Sequence, residues 1–359
     1  MNNENEQHQE AEDYTKEEVR LRHYFLKEAY PQPDVQEELE AFRRRQQPQR
    51  KSRAVLVAAS FLSGAAAVLL TLFVLHSQHL ISFGAPGYAP LVAFEANADK
   101  ADEVTLQQAG AAAVAVDASS ASRLAQMGAQ LNAKDKRLIY NNQQAAKVVM
   151  QTLSTPRRKT FKVVLSDGTE VWMNAESKLV YPNKFIGSQR VVQLHGEAYF
   201  KVAHNAQCPF IVRTNQLQTK VLGTEFNLRN YSSVDTHVTL LKGSVEVSNS
   251  SGSCRRTIKP GEDAQLTAGN TFKVKQVDTE EYSMWKDGFF YFDNVSLIEI
   301  TQELGRWYNV GVVFNNRKDL DTKVFFVADR RGSVQDALQL LNSMKKAHLS
   351  FRGNQIVVD

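Results

Sequence analysis

Residues 160–174 read TFKVVLSDGTEVWMN, and the reading of this stretch decides the fold. TFKVVL and EVWMN are short strand-like runs rich in Val, Phe and Trp, and Ser166-Asp167-Gly168-Thr169 lies between them. Two such runs around an Asp-Gly pair predict a β-hairpin, because glycine supplies the left-handed backbone that the tight turn demands. The same grammar continues downstream. Strand-like runs recur at 190–194, 198–203, 210–212, 217–222, 226–229, 237–241, 244–247, 264–267 and 271–277. Turn signals separate them at Pro182-Asn183, Gly196, Cys208-Pro209, Gly223, Lys242-Gly243 and Pro260-Gly261. Many short strands at this spacing predict an all-β sandwich or β-roll over 153–278.

Past Ser283 the grammar changes. Phe289 to Phe292 reads as a strand, and Ser296 to Tyr308 as an amphipathic helix with Leu297, Ile300, Leu304 and Trp307 (or Tyr308) inward. Val310 to Phe314 and Val324 to Val327 are strands, and Ser333 caps a second helix carrying Ala337, Leu338, Leu341 and Met344 inward. His348 to Phe351 and Gln355 to Val358 close the chain, so 285–359 is a small α+β module of order βαββαββ.

Working back from the hairpin, 76–152 is a connector. It is Gly- and Pro-punctuated up to residue 98, then rich in Ala and Gln, and reads as a partly ordered lead-in. Before it stands AVLVAASFLSGAAAVLLTLFVL, residues 54–75, which carries no charge. As a helix it extends about 33 Å, enough to cross a bilayer, and the 53 polar residues ahead of it exclude a cleaved signal peptide. Arg43, Arg44, Arg45, Arg50, Lys51 and Arg53 precede the span, and no Lys or Arg follows until Lys100. The excess of positive charge on one flank places 1–53 in the cytoplasm and 76–359 on the far side of the membrane. The fold class is therefore multi-domain: a single transmembrane helix, a β domain, and a small α+β module.

The inner segment is acidic, with a net charge of −8 over residues 1–40 before +6 over 41–53. Leu21, Tyr24 and Phe25 share one face of a short helix ended by Pro31 and Pro33. Val35, Leu39 and Phe42 fall at i, i+4 and i+7 of a second, which Asp34 caps. Neither is long enough to stand alone, so the segment is read either as a solvated tail or as one that folds onto a basic partner through those apolar stripes.

Composition narrows the function classes. A net charge of +4 over 359 residues gives no sign of direct nucleic-acid binding. Cys208 and Cys254 are the only cysteines, too few for a disulfide scaffold or a four-thiolate zinc site. Both lie at turns, and an oxidising compartment allows them to pair, but their spacing carries no signature. Phosphate-cradling, dinucleotide, hydrolase-elbow and metalloprotease motifs are all missing, and the histidines, including His195 and His204, are scattered at turns and surfaces. The sequence thus assigns no cofactor, no metal and no external substrate. Gly223-Thr224 stands between two strand-like runs. A strained glycine carbonyl there could be attacked by the threonine hydroxyl; the plainer reading is a glycine at a bulge or turn.

Taken together, several stretches resemble the FecR family. LSTPRRKTFKVVLSDGTEVWMN (153–174), GEAYFKV (196–202), PFIV (209–212), VLGTEF (221–226), LKGSVEV (241–247) and KPGEDAQ (259–265) follow one another in its order. WKDGFFYFDN and ELGRWY then resemble its C-terminal module, itself similar to the short signalling domain of secretins and TonB-dependent transducers. The resemblance spans 153–359 and implies a transmembrane anti-sigma factor. Its partners would be an extracytoplasmic-function (ECF) sigma factor inside and the signalling domain of a TonB-dependent outer-membrane transporter outside, with envelope proteases acting on the chain. It also implies self-cleavage at Gly223-Thr224 in some members. Two departures stand out. The 53-residue inner segment has room for two helices where three are usual, and Arg158 replaces a more frequent glycine, which predicts ordinary backbone there. The terminal strand, Gln355, Ile356, Val357 and Val358, is expected to be an exposed edge offered to the transporter domain. A different class of function, an envelope adaptor or polymer-binding protein with an inert inner tail, fits the same layout.

Overall fold

A computed structural model describes residues 89–97, 102–140, 147–232 and 235–359. The span 54–75 and the inner residues Leu21, Tyr24, Phe25, Val35, Leu39 and Phe42 lie outside the described residues. Among the described residues no helix is long and apolar enough to cross a membrane. The chain divides into Met1–Ala85 and Pro86–Asp359, and the second unit is the one described here.

The hairpin forms as its sequence predicts. Phe161–Val164 pairs antiparallel with Glu170–Met173, Gly168 takes φ +84°, and Asp167 accepts the Thr169 amide. Phe161, Val163, Val171 and Met173 point inward, with Lys162, Glu170 and Trp172 on the other face. Around it the β domain builds two ladders over one apolar core that includes Leu153, Phe200, Phe210 and Phe226. The first ladder runs Val114–Ala115, Thr105–Gln108, Met150–Thr155, Ser177–Pro182, the first half of Arg190–Lys201, Phe210–Arg213, Leu217–Val221, Val245–Asn249 and Arg255–Ile258. The second runs Ala129–Asn132, Arg137–Tyr140, Phe161–Val164, Glu170–Met173, the second half of Arg190–Lys201, Glu225–Asn230, Thr236–Lys242, Glu262–Leu266 and Phe272–Gln276.

The 12-residue strand Arg190–Lys201 is common to both ladders. It crosses from one to the other at Gly196, where φ is +95° and a Cβ would come within 2.4 Å of the Ser177 hydroxyl and 2.7 Å of Ser177 Cα. Only glycine meets both demands, a left-handed backbone and a bare Cα.

The lead-in is more ordered than its Ala- and Gln-rich composition predicts. Thr105–Gln108 pairs with Met150–Thr155, and Arg137–Tyr140 runs parallel to Phe161–Val164, so these segments are strands of the β domain. The expected boundary at 153 falls inside a strand. Leu106, Leu124 and Leu138, fully buried, explain why: the lead-in covers core that 153–278 alone would expose. A short helix, α1 (Ala121–Gln126), supplies Leu124. Arg158 also departs from expectation, since it is exposed yet holds φ +66°. The turn keeps the left-handed geometry that suits glycine, at the steric cost of a Cβ.

The C-terminal module follows the predicted order: Phe289–Ser296, α2 (Leu297–Tyr308), Gly311–Phe314, Lys323–Asp329, α3 (Val334–Ser343), Leu349–Arg352 and Gln355–Val358. Glu299 accepts the Ser296 amide at the start of α2, and Ser333 and Asp336 cap α3 reciprocally at 2.9 and 3.2 Å. Phe289–Ser296 pairs with Lys323–Asp329, while a four-stranded sheet runs Leu91–Phe94, Gly311–Phe314, Gln355–Val358, Leu349–Arg352. The expectation of an exposed terminal edge is therefore corrected. Gln355, Ile356, Val357 and Val358 form an interior strand, parallel to Gly311–Phe314 on one side and antiparallel to Leu349–Arg352 on the other. Ile356 and Val358 are fully buried in the module core. The physical reason is that the strand takes two partners: Leu349–Arg352, joined to it by a tight turn, and Gly311–Phe314, brought alongside in parallel from before α3.

Candidate functional site

The densest polar cluster lies where the β domain meets the C-terminal module, and it is set up by the crossing at Gly196. The next residue, Glu197, has its amide bonded to the Ser177 hydroxyl at 2.9 Å, and that hydroxyl donates to the Glu197 carbonyl at 3.1 Å. So held, the Glu197 carboxylate accepts hydrogen bonds from Asn174 and Asn227, each at 2.8 Å, and from Arg229 at 3.0 Å. Arg229 stands opposite Glu197 in the ladder. Its Nε meets both oxygens of Asp235 at 2.9 Å, and its Nη1 reaches Glu303 on α2 at 3.1 Å.

Glu303 is the centre from the module's side. At 2% exposure it accepts from Arg229, from Arg306 at 2.8 Å and from Arg330 at 3.2 Å. Arg330 returns to the β domain by donating to Asn174 Oδ1 at 2.8 Å, and it lies between the Phe290 and Trp307 rings, 4.8 and 4.7 Å from their centroids. Arg306 lies 3.7 Å over the Tyr231 ring, while Arg157 pairs with Glu176 at 2.9 Å. Trp285 adds a bond to Asn227 at 3.3 Å. Helix α2 can serve two neighbours because Leu297, Ile300 and Leu304 fill the module core while Glu303 and Arg306, one turn apart, meet the β domain.

The charges tune one another. Burial by itself would raise the Glu303 carboxyl, but Arg229, Arg306 and Arg330 outweigh it and lower it to about 2. Burial likewise opposes the charge of Arg229, yet Asp235, Glu303 and Glu197 raise its pKa well above the ordinary value. Arg330 is lowered by its burial, against the pull of Glu303 and Glu197. Such a network is a positioning device. Such a buried set, in which only the Nε atoms of Arg306 and Arg330 lack a hydrogen bond, adds little net stability over an apolar contact, but loss of one member leaves a buried charge uncompensated.

The Gly223–Thr224 bond lies elsewhere, at an open cleft of about 420 Å³ lined by His204, Pro209, Lys220, Leu222, Ser244 and Glu246. The Thr224 hydroxyl donates to the Ser244 carbonyl at 3.0 Å, and the Thr224 carbonyl accepts the Val202 amide. A Cβ on Gly223 would come within 2.5 Å of His204 Nδ1 and 2.7 Å of His204 Cα, so close packing alone requires glycine. His204 is exposed and His195 is paired with Lys178 across a ladder. Cys208 and Cys254 are free. Among the described residues no group of His, Cys, Asp and Glu is placed to hold a metal.

Glu197, Arg229, Glu303, Arg306 and Arg330 escaped the sequence reading. The available signal was local: Glu303 and Arg306 interrupt the apolar positions of α2, inside ELGRWY, on a face that a free surface helix would leave to solvent.

Comparison with known families and structures follows the same division. Residues 151–246 match the FecR protein family, and residues 289–358 match the FecR, C-terminal family. No curated protein matches the chain. Two crystal structures, at 1.65 and 2.50 Å resolution, of a protein provisionally assigned as an anti-sigma factor from Parabacteroides distasonis ATCC 8503 are similar. Each is 27% identical with a TM-score of 0.54, and the match covers 58% of this chain and 98% of that one.

Proposed function

Residues 151–246 are a FecR domain and residues 289–358 a FecR C-terminal domain, and from that premise we propose that this chain is a single-pass inner-membrane regulator of the anti-sigma class. Residues 1–53 bind an ECF sigma factor in the cytoplasm, 54–75 cross the membrane, and 76–359 receive a signal in the periplasm. The signal arrives through the signalling domain of a TonB-dependent outer-membrane transporter, and envelope proteases make release of the sigma factor irreversible. The observation that carries this reading is the pairing of both domains in one chain whose structural neighbour is assigned to the anti-sigma class.

The mechanism is coupling, not turnover. A signal bound at the module changes the sigma factor's affinity only if it distinguishes two states of the chain. The buried Glu303 network supports a module that moves with the β domain as one body until the network is broken. Inside the cell, apolar stripes at Leu21, Tyr24 and Phe25 and at Val35, Leu39 and Phe42 seat in grooves of the sigma factor, and the acidic surroundings cover its basic DNA-contacting surface. Gly223–Thr224 is the place in this reading for a single-turnover self-cleavage. Chains tagged at both ends and blotted beside Thr224→Ala decide it: two fragments in wild type alone mean maturation, and one full-length band in both means a structural pair.

The test of the main reading is capture from the native host. The full-length chain, tagged and held in mild detergent, should recover an alternative sigma factor by mass spectrometry, and deletion of 1–50 should abolish that recovery. Sigma factor recovered equally with the deleted chain, or none recovered at all, overturns the assignment.

A further inference from the structure

Leu91–Phe94 is a strand of the C-terminal module contributed from the far side of the β domain. It pairs antiparallel with Gly311–Phe314 through Leu91↔Phe314, Val92↔Val313 and Phe94↔Val312, with a register shift between Val92 and Phe94. None of its four residues is fully buried, and Val92 is 54% exposed. The strand it covers is the opposite: Gly311, Val312 and Phe314 are buried. A short, irregular, half-exposed strand thus seals the edge of a well-packed sheet.

Its anchors converge on one place. The Gln302 side chain donates to the Ala93 carbonyl at 3.0 Å. The Asn97 amide donates to Asn309 Oδ1, and Asn309 Nδ2 returns a bond to the Asn97 carbonyl, both at 3.0 Å. From the β domain, Arg157 donates to the Glu95 carbonyl and to Asn309 Oδ1, each at 2.9 Å. The Phe94 ring packs onto Gly305, where a Cβ would come within 2.7 Å, and faces the guanidinium groups of Arg157 at 4.5 Å and Arg306 at 5.4 Å. Leu91, Ala93 and Phe94 pack on the module core only part-buried, and the rest of the attachment is hydrogen bonds. Segments with few buried apolar contacts are those that open locally without global unfolding.

We propose that Leu91–Phe94 is a releasable strap that opens while both domains stay folded, and that its release uncovers Gly311–Phe314 as a seat for an extended strand of a partner protein. The strap itself states what that partner must offer: backbone in extended form, and an aromatic or large apolar side chain to lie on Gly305 between the two guanidinium groups. Gly311–Phe314 then gains a new neighbour, and the chain preceding Leu91 loses its hold on the module. That last consequence rests on the reading of 54–75 as a membrane span; the release itself does not.

Hydrogen exchange on the full-length protein in detergent micelles, read by mass spectrometry, tests it. Peptides covering 89–97 and 311–314 should exchange at least about tenfold faster than those covering 355–358, which lie deeper in the same sheet. Phe94→Ala should speed both by a further factor of about ten and leave 355–358 and 190–201 unchanged. In a Cys208→Ser, Cys254→Ser background, a Val92→Cys, Val313→Cys disulfide should slow 89–97 to the rate of 355–358. Added to the Phe94→Ala chain in excess, a synthetic peptide of residues 89–97 should restore protection at 311–314. Exchange of 89–97 in step with 355–358 overturns the strap, and a peptide that gives no protection overturns the strand seat. Neither result depends on a sigma factor, so failure here is separable from failure of the proposed function.

Discussion

Glu303 of helix α2 accepts a hydrogen bond from Arg229 of the β domain at 3.1 Å, and both groups are shielded from water, with side-chain exposures of 3% and 20%. Together with the Arg330–Asn174 bond and Arg306 over the Tyr231 ring, this contact joins two domains whose apolar cores are separate clusters.

Glu303→Gln should be far more harmful than a surface change. It leaves Arg229, Arg306 and Arg330 crowded around a neutral amide, and breaking one member of a buried ionic set typically costs about 3–5 kcal/mol. Urea unfolding should show the midpoint fall. A variant that unfolds like wild type would mean the network contributes no positioning.

Acid should act through the same residue. The Glu303 carboxyl is lowered to about 2 from an ordinary 4.5, so its contribution is complete above about pH 4.5 and is lost as pH falls toward 2. Stability of wild type should drop across that window, and Glu303→Gln should show a flatter profile there.

Glu281 should behave in the opposite sense. Burial raises its carboxyl to about 7, partly offset by the Asp293 amide that donates to it at 3.2 Å. Between pH 4.5 and 7 the folded chain retains a proton that the unfolded chain releases, so raising pH through this window weakens the fold. Glu281→Gln should therefore melt higher than wild type at pH 8, and the gain should vanish at pH 4.

Gly196→Ala should unsettle the β domain as a whole. The added methyl would sit 2.4–2.8 Å from Ser177 atoms at φ +95°, a combination of backbone strain and overpacking worth about 2–4 kcal/mol. Calorimetry should record a lower transition temperature, and Glu197 should lose its place in the network.

Arg158→Gly should go the other way. Arg158 holds φ +66° with its side chain exposed, and relieving that strain is worth about 1–2 kcal/mol, of which glycine's greater freedom in the unfolded chain takes back about 0.5–1. A small rise in melting temperature is expected.

The legible parts of the fold were those whose signals are local. The 160–174 hairpin and both capped helices of the module carry their own turn residue, period and cap, and the structure places them where the sequence does. Gln355–Val358 misled for the converse reason. Whether a strand is an edge depends on its neighbours, and Gln355–Val358 lies between Leu349–Arg352, which precedes it directly, and Gly311–Phe314, which stands before α3 in the chain. The lead-in misled because Leu106, Leu124 and Leu138 are too few to set a period yet each fills a gap in the core. The Glu303 network was hidden likewise: a carboxylate on a helix reads as solvent-facing until a second domain is laid over it.

Asn97 and Asn309 bond each other across 212 residues of sequence. A chain made from its N-terminus must therefore carry Leu91–Phe94 unpaired until the whole β domain and α2 have followed. Closing so long a loop is a late event in folding, though its entropic cost grows only slowly with length. Completion of that strand pair thus reports that the chain has passed Phe314: a product truncated before Gly311 can never make it, and would leave Leu91–Phe94 bare, where a quality-control protease could find it.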